Sequence, residues 1–269
     1  MTEPIRFHDG AAYERFMGLW SQRVGDEFLK WLAPPSGLRW LDVGCGNGAF
    51  TERLVVRCAP GVVHGIDPSE AQLSFARTRP ATALVQYGLG VAMDLPFDGD
   101  SFDVAVMPLV IFFVPDPALG VAEMVRVVRP GGLVAAYAWD MDGGGFPYAA
   151  LHDQMRALGM MVPTPPNPSA SSMDTLHALW SSVDLGGLEL RTITVQRTFE
   201  DFEDYWTTVH MAPSVGSTLR EMQPETSAQL AQAVQAVLPI DADGRITISA
   251  RANAVRGQVP QERPARTVV

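Results

Sequence analysis

The chain has 269 residues, of which 47% are hydrophobic and 19% charged, and carries a formal charge of −10 at pH 7. That length and composition support a full core and exclude disorder as the main state, and two cysteines, Cys45 and Cys58, are too few for a disulfide-stapled miniature. The acidic balance, with no cluster of Lys and Arg, argues against a nucleic-acid partner. The apolar run from Val104 to Val114 is broken by Pro108 and too short to span a bilayer, and no secretion-signal pattern precedes the cysteines, so a reducing, cytoplasmic setting is expected.

In chain order, Tyr13, Phe16, Met17, Trp20, Val24, Phe28, Leu29 and Leu32 recur at spacings of three and four and predict one amphipathic helix, stopped by Pro34 and Pro35. Leu38 to Val43 reads as a short strand, Gly44 to Gly48 as a glycine turn, and Ala49 to Cys58 as a helix. A second buried strand, Val62 to Ile66, ends at Asp67-Pro68-Ser69, where Ser69 can cap the following helix. Ala83 to Tyr87 is a weaker third strand and Phe102 to Met107 a fourth. The helix Pro117 to Val128 leads into Arg129-Pro130-Gly131-Gly132, a turn that launches strand five, Leu133 to Trp139. Strands alternating with helices over this stretch imply right-handed crossovers and a parallel sheet covered on both faces, an α/β fold. Beyond Asp140 the alternation falters through Gly143-Gly144-Gly145 and Pro163 to Ser172. Helices are expected at Tyr148 to Leu158, Met173 to Val183, Phe202 to His210 and Ser227 to Val237, strands at Leu188 to Arg197 and, on the sheet edge, Ile246 to Val255. The expected division is a cover helix over 1–35, a cofactor-binding core over 36–140, a lid with completing strands over 141–256 and a frayed tail over 257–269.

Chemistry concentrates in the segment from Trp40 to Gly48. Alternate glycines after a buried strand let a ligand approach bare backbone at a helix amino terminus. Gly44, Gly46 and Ala49 satisfy the dinucleotide fingerprint, with Asp67 as ribose acceptor. The extra Gly48, and Asp42 two residues before the first glycine, instead fit a ligand that is cationic here. A carboxylate at this mouth repels a pyrophosphate and attracts the ammonium or sulfonium of S-adenosylmethionine by roughly a few kcal/mol at an effective dielectric near 20.

Leu41-Asp42-Val43-Gly44-Cys45-Gly46-Asn47-Gly48, Gly65-Ile66-Asp67-Pro68-Ser69, Asp94-Leu95-Pro96-Phe97 with Ser101-Phe102-Asp103-Val104, and the run from Arg126 to Gly132 resemble, in order and spacing, the successive motifs of class I S-adenosylmethionine-dependent methyltransferases. The branch they resemble is type 11, which contains the ubiquinone and menaquinone biosynthesis methyltransferases. The resemblance covers about residues 38 to 140. It implies a Rossmann-like, doubly wound, seven-stranded, mostly parallel sheet with an antiparallel edge strand and a helical lid. It also implies S-adenosylmethionine as cofactor: Asp42, Gly44, Cys45, Gly46, Asn47 and Gly48 around its methionine part, Asp67 on the ribose, Pro68 and Ser69 beside adenine, and Met107, Pro108 and Leu109 near the reacting methyl. The cover would bring Tyr13 and Trp20 to the sulfonium and Arg23 to the carboxylate; as plain structure, the same stripe is a buried helix face.

Two departures stand out. Relatives commonly hold the adenine amino group with an acid in a Gly-Asp-Ala segment, where this chain has Gly90-Val91-Ala92. Adenine would then rely on backbone at Val91, Ala92 and Met93, or on Asp94. Relatives also often carry paired histidines after strand four, where this chain has Phe112-Phe113, either core or an apolar substrate floor. Cys45 is expected to contribute backbone rather than a reactive thiol. The five histidines lack metal-ligand spacing, and no nucleophile elbow or phosphate loop is present. The implied activity is methyl transfer to a small, apolar or aromatic acceptor, with no metal and no assigned catalytic residue. Asp140, Tyr148, His152, Tyr205 and His210 lie in the expected lid as candidates to orient the acceptor. A nicotinamide-dependent oxidoreductase and a non-catalytic S-adenosylmethionine binder remain as alternatives.

Overall fold

The computed structural model describes residues 14–83, 85–212 and 215–262. Its centre is β1 (Arg39–Val43), where Trp40, Leu41, Asp42 and Val43 are all buried, as a parallel strand covered on both faces requires. With β2 (Val62–Asp67), β3 (Gln86–Leu89), β4 (Phe102–Pro108), β5 (Val128–Trp139), β6 (Gly186–Phe199) and β7 (Ile246–Gln258) it forms one seven-stranded sheet in the order β3-β2-β1-β4-β5-β7-β6. The strands β3, β2, β1, β4 and β5 pair in parallel, while β7 runs antiparallel to both β5 and β6. The chain winds outward from β1 to β3, then returns to place β4 on the other side of β1. That reversal opens a crevice at the carboxyl ends of β1 and β4, where open α/β sheets bind ligands.

A π-helical turn, Glu14–Gly18, enters α1 (Leu19–Leu32), whose Trp20, Val24, Phe28 and Leu32 are buried. The crossovers are α2 (Ala49–Cys58), α3 (Glu70–Ala76) and α4 (Pro117–Val127). Ser69 caps α3 by accepting from the Gln72 amide, and Asp116 caps α4 by accepting from that of Leu119. Between β5 and β6 lie α5 (Ala149–Ala157) and α6 (Met173–Ser181); between β6 and β7 lie α7 (Phe202–His210), α8 (Gly216–Glu221) and α9 (Pro224–Val237). Trp180 of α6 is buried and donates its indole N–H to the Val134 carbonyl at 3.1 Å, so it belongs to the packing of the sheet. Met161, by contrast, is 75% exposed.

The structure departs from the sequence expectations at five places. Strand three is Gln86–Leu89 rather than Ala83 to Tyr87, because Pro80 starts a 3-10 turn in which Ala83 donates back to the Pro80 carbonyl. Arg129 to Gly132 is an irregularity inside β5, not a turn before it: Phe102 pairs with Val128, and Val104 with Leu133. Gly131 and Gly132 there exchange backbone bonds with Val259. Ile246 to Val255 is not the edge; β7 is the second strand in and β6 is outermost, because the antiparallel partner of β5 is the returning strand. Residues 257 and 258 belong to β7 and Val259 is buried, so the tail begins later than residue 257. Helix α8 has no counterpart in the sequence reading, being a single six-residue segment too short to show a period. No helix among the described residues is long and apolar enough to cross a membrane.

Asp103 ties the entrance of the sheet together. Its carboxylate accepts from the Arg39 amide at 2.7 Å, from the Arg39 guanidinium at 3.1 and 3.2 Å and from Arg129 at 2.6 Å. Partial burial pushes this carboxyl up, but those bonds outweigh burial and hold it well below the usual carboxylate range. A depressed folded-state value means stability that is present above the unfolded value of 3.8 and lost as pH falls through the folded one. Asp103→Asn should therefore cost about 1–3 kcal/mol at pH 7, with the loss shrinking in denaturant melts run at successively lower pH below 4. An equal loss at pH 7 and pH 2.5 would contradict this account.

Candidate functional site

At the carboxyl ends of β1, β2 and β4 lies a cavity of about 340 Å³, within the size range of small-molecule sites. The turn after β1 forms its floor. Gly44, Gly46 and Gly48 all have positive φ, at 74°, 52° and 78°, a conformation that side chains disfavour. A Cβ at Gly44 would stand 2.6 Å from the side chain of Val110, and one at Gly48 would stand 2.9 Å from the Tyr87 hydroxyl. Gly44 and Cys45 both donate to the Ile66 carbonyl, at 2.8 and 2.9 Å, which stitches the turn to β2. Across the crevice, Leu109 is a non-glycine residue at φ 60°, anchored by its amide to the Tyr137 carbonyl at 2.7 Å.

The polar wall is built from two carboxylates. Asp67 accepts from the Gly46 amide at 3.0 Å through Oδ2 and from the Ser69 amide at 2.9 Å through Oδ1. Each carboxylate oxygen has further acceptor capacity, so Asp67 is oriented rather than exhausted. Asp42 is fully buried; its Oδ2 accepts from the Thr51 hydroxyl at 2.6 Å, and its Oδ1 has no partner among the described residues. Burial pushes the Asp42 carboxyl up to about 7, with the bond from Thr51 opposing and the charge of Asp67 adding to the rise. Ser21 on α1 also lines the cavity, with its buried Oγ lacking a partner among the described residues. Buried polar atoms are ordinarily satisfied. An acceptor and a hydroxyl left open on one cavity are therefore the donor set that an ammonium-bearing ligand would complete. Among the described residues, no lysine or arginine lines the cavity.

Of the residues singled out from sequence, the structure gathers Asp42, Gly44, Cys45, Gly46, Asn47, Asp67, Pro68, Ser69, Pro108 and Leu109 around this cavity. Gly48 sits just behind it as the amino-terminal cap of α2. Tyr13 lies outside the described residues. Trp20 turns away from the cavity: it is fully buried, edge-on to Trp139 and Tyr148, and donates its indole N–H to the Tyr148 hydroxyl at 3.2 Å. Arg23 donates to the Gln196 carbonyl of β6, which places it against the sheet edge. Met107 is buried within β4, with Pro108 and Leu109 as the lining residues beyond it. Val91, Ala92 and Met93 are not among the lining residues, and Val91 is 43% exposed in a turn where its carbonyl accepts from the Asp94 amide at 3.2 Å. The two phenylalanines divide: Phe112 is buried in the core and Phe113 lines the cavity. Burial, followed by the charges of Asp42 and Asp67, pushes the Cys45 thiol well above its ordinary value, so it is a wall and not a nucleophile.

Sequence reasoning missed Ser21, Phe50, Gln72, Val110 and Tyr137, all of which line the cavity. Ser21 is the instructive one. A stripe of apolar residues identifies the buried face of a helix, and a serine on the same face carries no such signal. The expected lid candidates are also explained: Asp140 is paired with Arg251 at 2.7 Å, and the Tyr148 hydroxyl donates to the Phe16 carbonyl at 2.9 Å. His152 is stacked on Phe146, and burial, followed by the charge of Arg156, lowers it to about 4, so it is neutral. Tyr205 is fully buried against Phe199, and the His210 ring meets the Trp206 carbonyl at 2.8 Å.

Residues 41–136 match the family described as "Methyltransferase domain". Over 118 residues the chain is 37% identical to a demethylmenaquinone methyltransferase from Staphylococcus aureus, covering 43% of this chain and 47% of that protein. The chain thus spans about half the length of the curated relatives it matches. Among solved structures, phosphoethanolamine N-methyltransferase 2 of Haemonchus contortus, in complex with S-adenosyl-L-methionine, superimposes with a TM-score of 0.57 at 19% identity, covering 93% of this chain and 56% of that one. The (4+2)-cyclase SpnF gives 0.52 at 18% identity, covering 90% and 82%. Segment 41–136 thus matches a methyltransferase domain family, and the sheet that carries it is shared with solved methyltransferase structures. At this identity the structural likenesses speak to fold alone.

The raised Asp42 carboxyl has a stability signature. A value above the unfolded 3.8 means a contribution fully present below 3.8 and lost as pH rises through about 7. Asp42→Asn, which keeps an acceptor for Thr51, should melt higher than wild type at pH 8, by on the order of 2–4 kcal/mol, with the advantage shrinking by pH 5. A difference in melting temperature that stays constant across that range refutes the buried ionisation.

Proposed function

We propose that the chain transfers a methyl group from S-adenosylmethionine to a small organic acceptor. The observation that carries this reading is the pair of carboxylates on a cavity that, among the described residues, no cation lines and where Asp42 Oδ1 and Ser21 Oγ meet no partner. That donor set fits a nucleoside with a cationic amino-acid tail and fits a dinucleotide pyrophosphate poorly. Bound there, the cofactor supplies a methyl group already activated on a sulfonium. What remains for the chain is holding, orienting and excluding water.

Asp67 takes the ribose hydroxyls, held in place by the amides of Gly46 and Ser69. Asp42 and Ser21 take the ammonium end, and the glycine turn offers backbone without side chains in the way. Adenine lies toward Pro68 and Ser69, which line the cavity. The acceptor side is apolar: Leu109, Val110, Phe113, Phe50 and Tyr137 share that wall. An apolar or aromatic acceptor suits these groups, in keeping with a relative named for demethylmenaquinone. A phosphorylated acceptor would need cations that the described lining residues do not supply. Helix α1, through Ser21, covers the cavity, and the site works without a resident metal.

Calorimetric titration of the wild-type chain should show S-adenosylmethionine binding, with NAD and NADP giving no heat. Asp67→Ala should weaken it at least tenfold, about 1.4 kcal/mol or more, while circular dichroism stays native. Because the tail cation favours the ionised form of Asp42, affinity should also fall as pH drops from 8 to 6, with proton release seen as a buffer-dependent heat. Transfer of labelled methyl to an extract component completes the test. Tight binding of NAD, or cofactor binding with no transfer to any component, would replace this reading by an oxidoreductase or a binding protein respectively.

A further inference from the structure

We propose that Glu14 is a positioning residue that latches the N-terminal cover to the glycine turn and so governs cofactor release. The proposal rests on the cofactor reading above. The Glu14 carboxylate is reached from three elements at once. Gln22 Nε2 of α1 donates to Oε1 at 3.2 Å, Asn47 Nδ2 of the glycine turn donates to Oε2 at 3.0 Å, and the Arg79 guanidinium pairs with Oε2. Arg79 is itself 9% exposed and works as a fork. Its Nε donates to the Asn47 carbonyl at 2.7 Å, and its Nη1 to Glu52 at 2.8 Å. One buried guanidinium therefore grips the cofactor turn and the cover together.

Local backbone is shaped for this contact. Glu14 opens a π-helical turn, a rare conformation that re-aims side chains, and Gly18 leaves the space its carboxylate occupies. A Cβ at position 18 would fall 2.6 to 2.8 Å from the carboxylate atoms of Glu14. The two walls joined by the latch both face the cavity: Ser21, beside Gln22 on α1, and Asn47 in the turn. Asn47 Oδ1 also receives the Ala49 amide at 3.2 Å, so the latch meets the turn where α2 begins.

Loss of Glu14 differs from ordinary destabilisation for a specific reason. Arg79 keeps Glu52 and the Asn47 carbonyl, so no buried cation is stranded, which is the costly outcome when a buried pair is broken. Phe16 and Met17 keep their apolar seats. What is lost is the polar tie between cover and turn.

The test compares wild type, Glu14→Ala and Glu14→Gln in the full chain. Hydrogen exchange of residues 14–24 is followed without ligand, and release of S-adenosylhomocysteine is timed in a chase. Glu14→Ala should speed both at least tenfold, with the association rate and the exchange of the sheet amides unchanged. Glu14→Gln keeps an acceptor for Asn47 and loses the charge that Arg79 meets, so it should fall between. Wild-type exchange and release in Glu14→Ala overturn the latch, as does acceleration spread equally over the sheet, which marks a purely structural role. A wild-type chain that takes up no S-adenosylhomocysteine overturns the cofactor reading, and the release half of this proposal with it. Exchange of the cover still decides the latch in that case.

Discussion

A carboxylate buried at the end of the central strand is the constraint around which the site is organised. Asp42 lies in β1, between β2 and β4, with no exposed surface, and among the described residues only the Thr51 hydroxyl meets one of its oxygens. Holding an ionised carboxyl there is costly, and the rise of its pKa to about 7 expresses that cost. The arrangement makes sense as a site prepared for a cation. An empty valence on a buried acid is poor for the stability of the ligand-free chain and good for affinity toward a positively charged nucleoside.

The surrounding architecture follows from keeping that acid at the floor of an accessible crevice. Three left-handed glycines let the chain leave β1, pass under the cavity and enter α2 without a side chain intruding. The second acid, Asp67, holds the scaffold, since its oxygens accept the amides of Gly46 and Ser69 and so define the turn that carries them. Arg79 performs the matching task behind the turn, taking the Asn47 carbonyl and the carboxylates of Glu14 and Glu52.

Strand and helix order were legible because the periodicities are local: β1, β2, β4 and the helices α1, α2 and α4 follow from runs of apolar residues, caps and glycine turns. Misreadings fell where tertiary pairing overrides local pattern. Gly131 and Gly132 look like a turn, yet their backbone bonds to Val259 keep them within β5. Ile246 to Val255 looks like a last strand added at an edge, yet it slots between β5 and β6. Around the cavity, Asp42, Asp67 and the glycines were visible from spacing alone. Trp20 belonged to the right helix, but its ring packs edge-on to Trp139 and Tyr148, and the neighbouring Ser21 reaches the cavity instead.

By itself, the sequence determined the class of sheet, the location of the ligand turn and the acidic character of its mouth, because these depend on residue type and on spacing within single segments. Tertiary structure decided which lid residues are core and which are wall, that Phe113 rather than Phe112 faces the cavity, and that Glu14 meets Asn47 and Arg79. Those choices join residues 33 to 65 positions apart. No local period encodes such a meeting; it follows from packing α1 over the finished sheet, where hydrophobic burial sets the helix and the few polar groups left at the seam find one another.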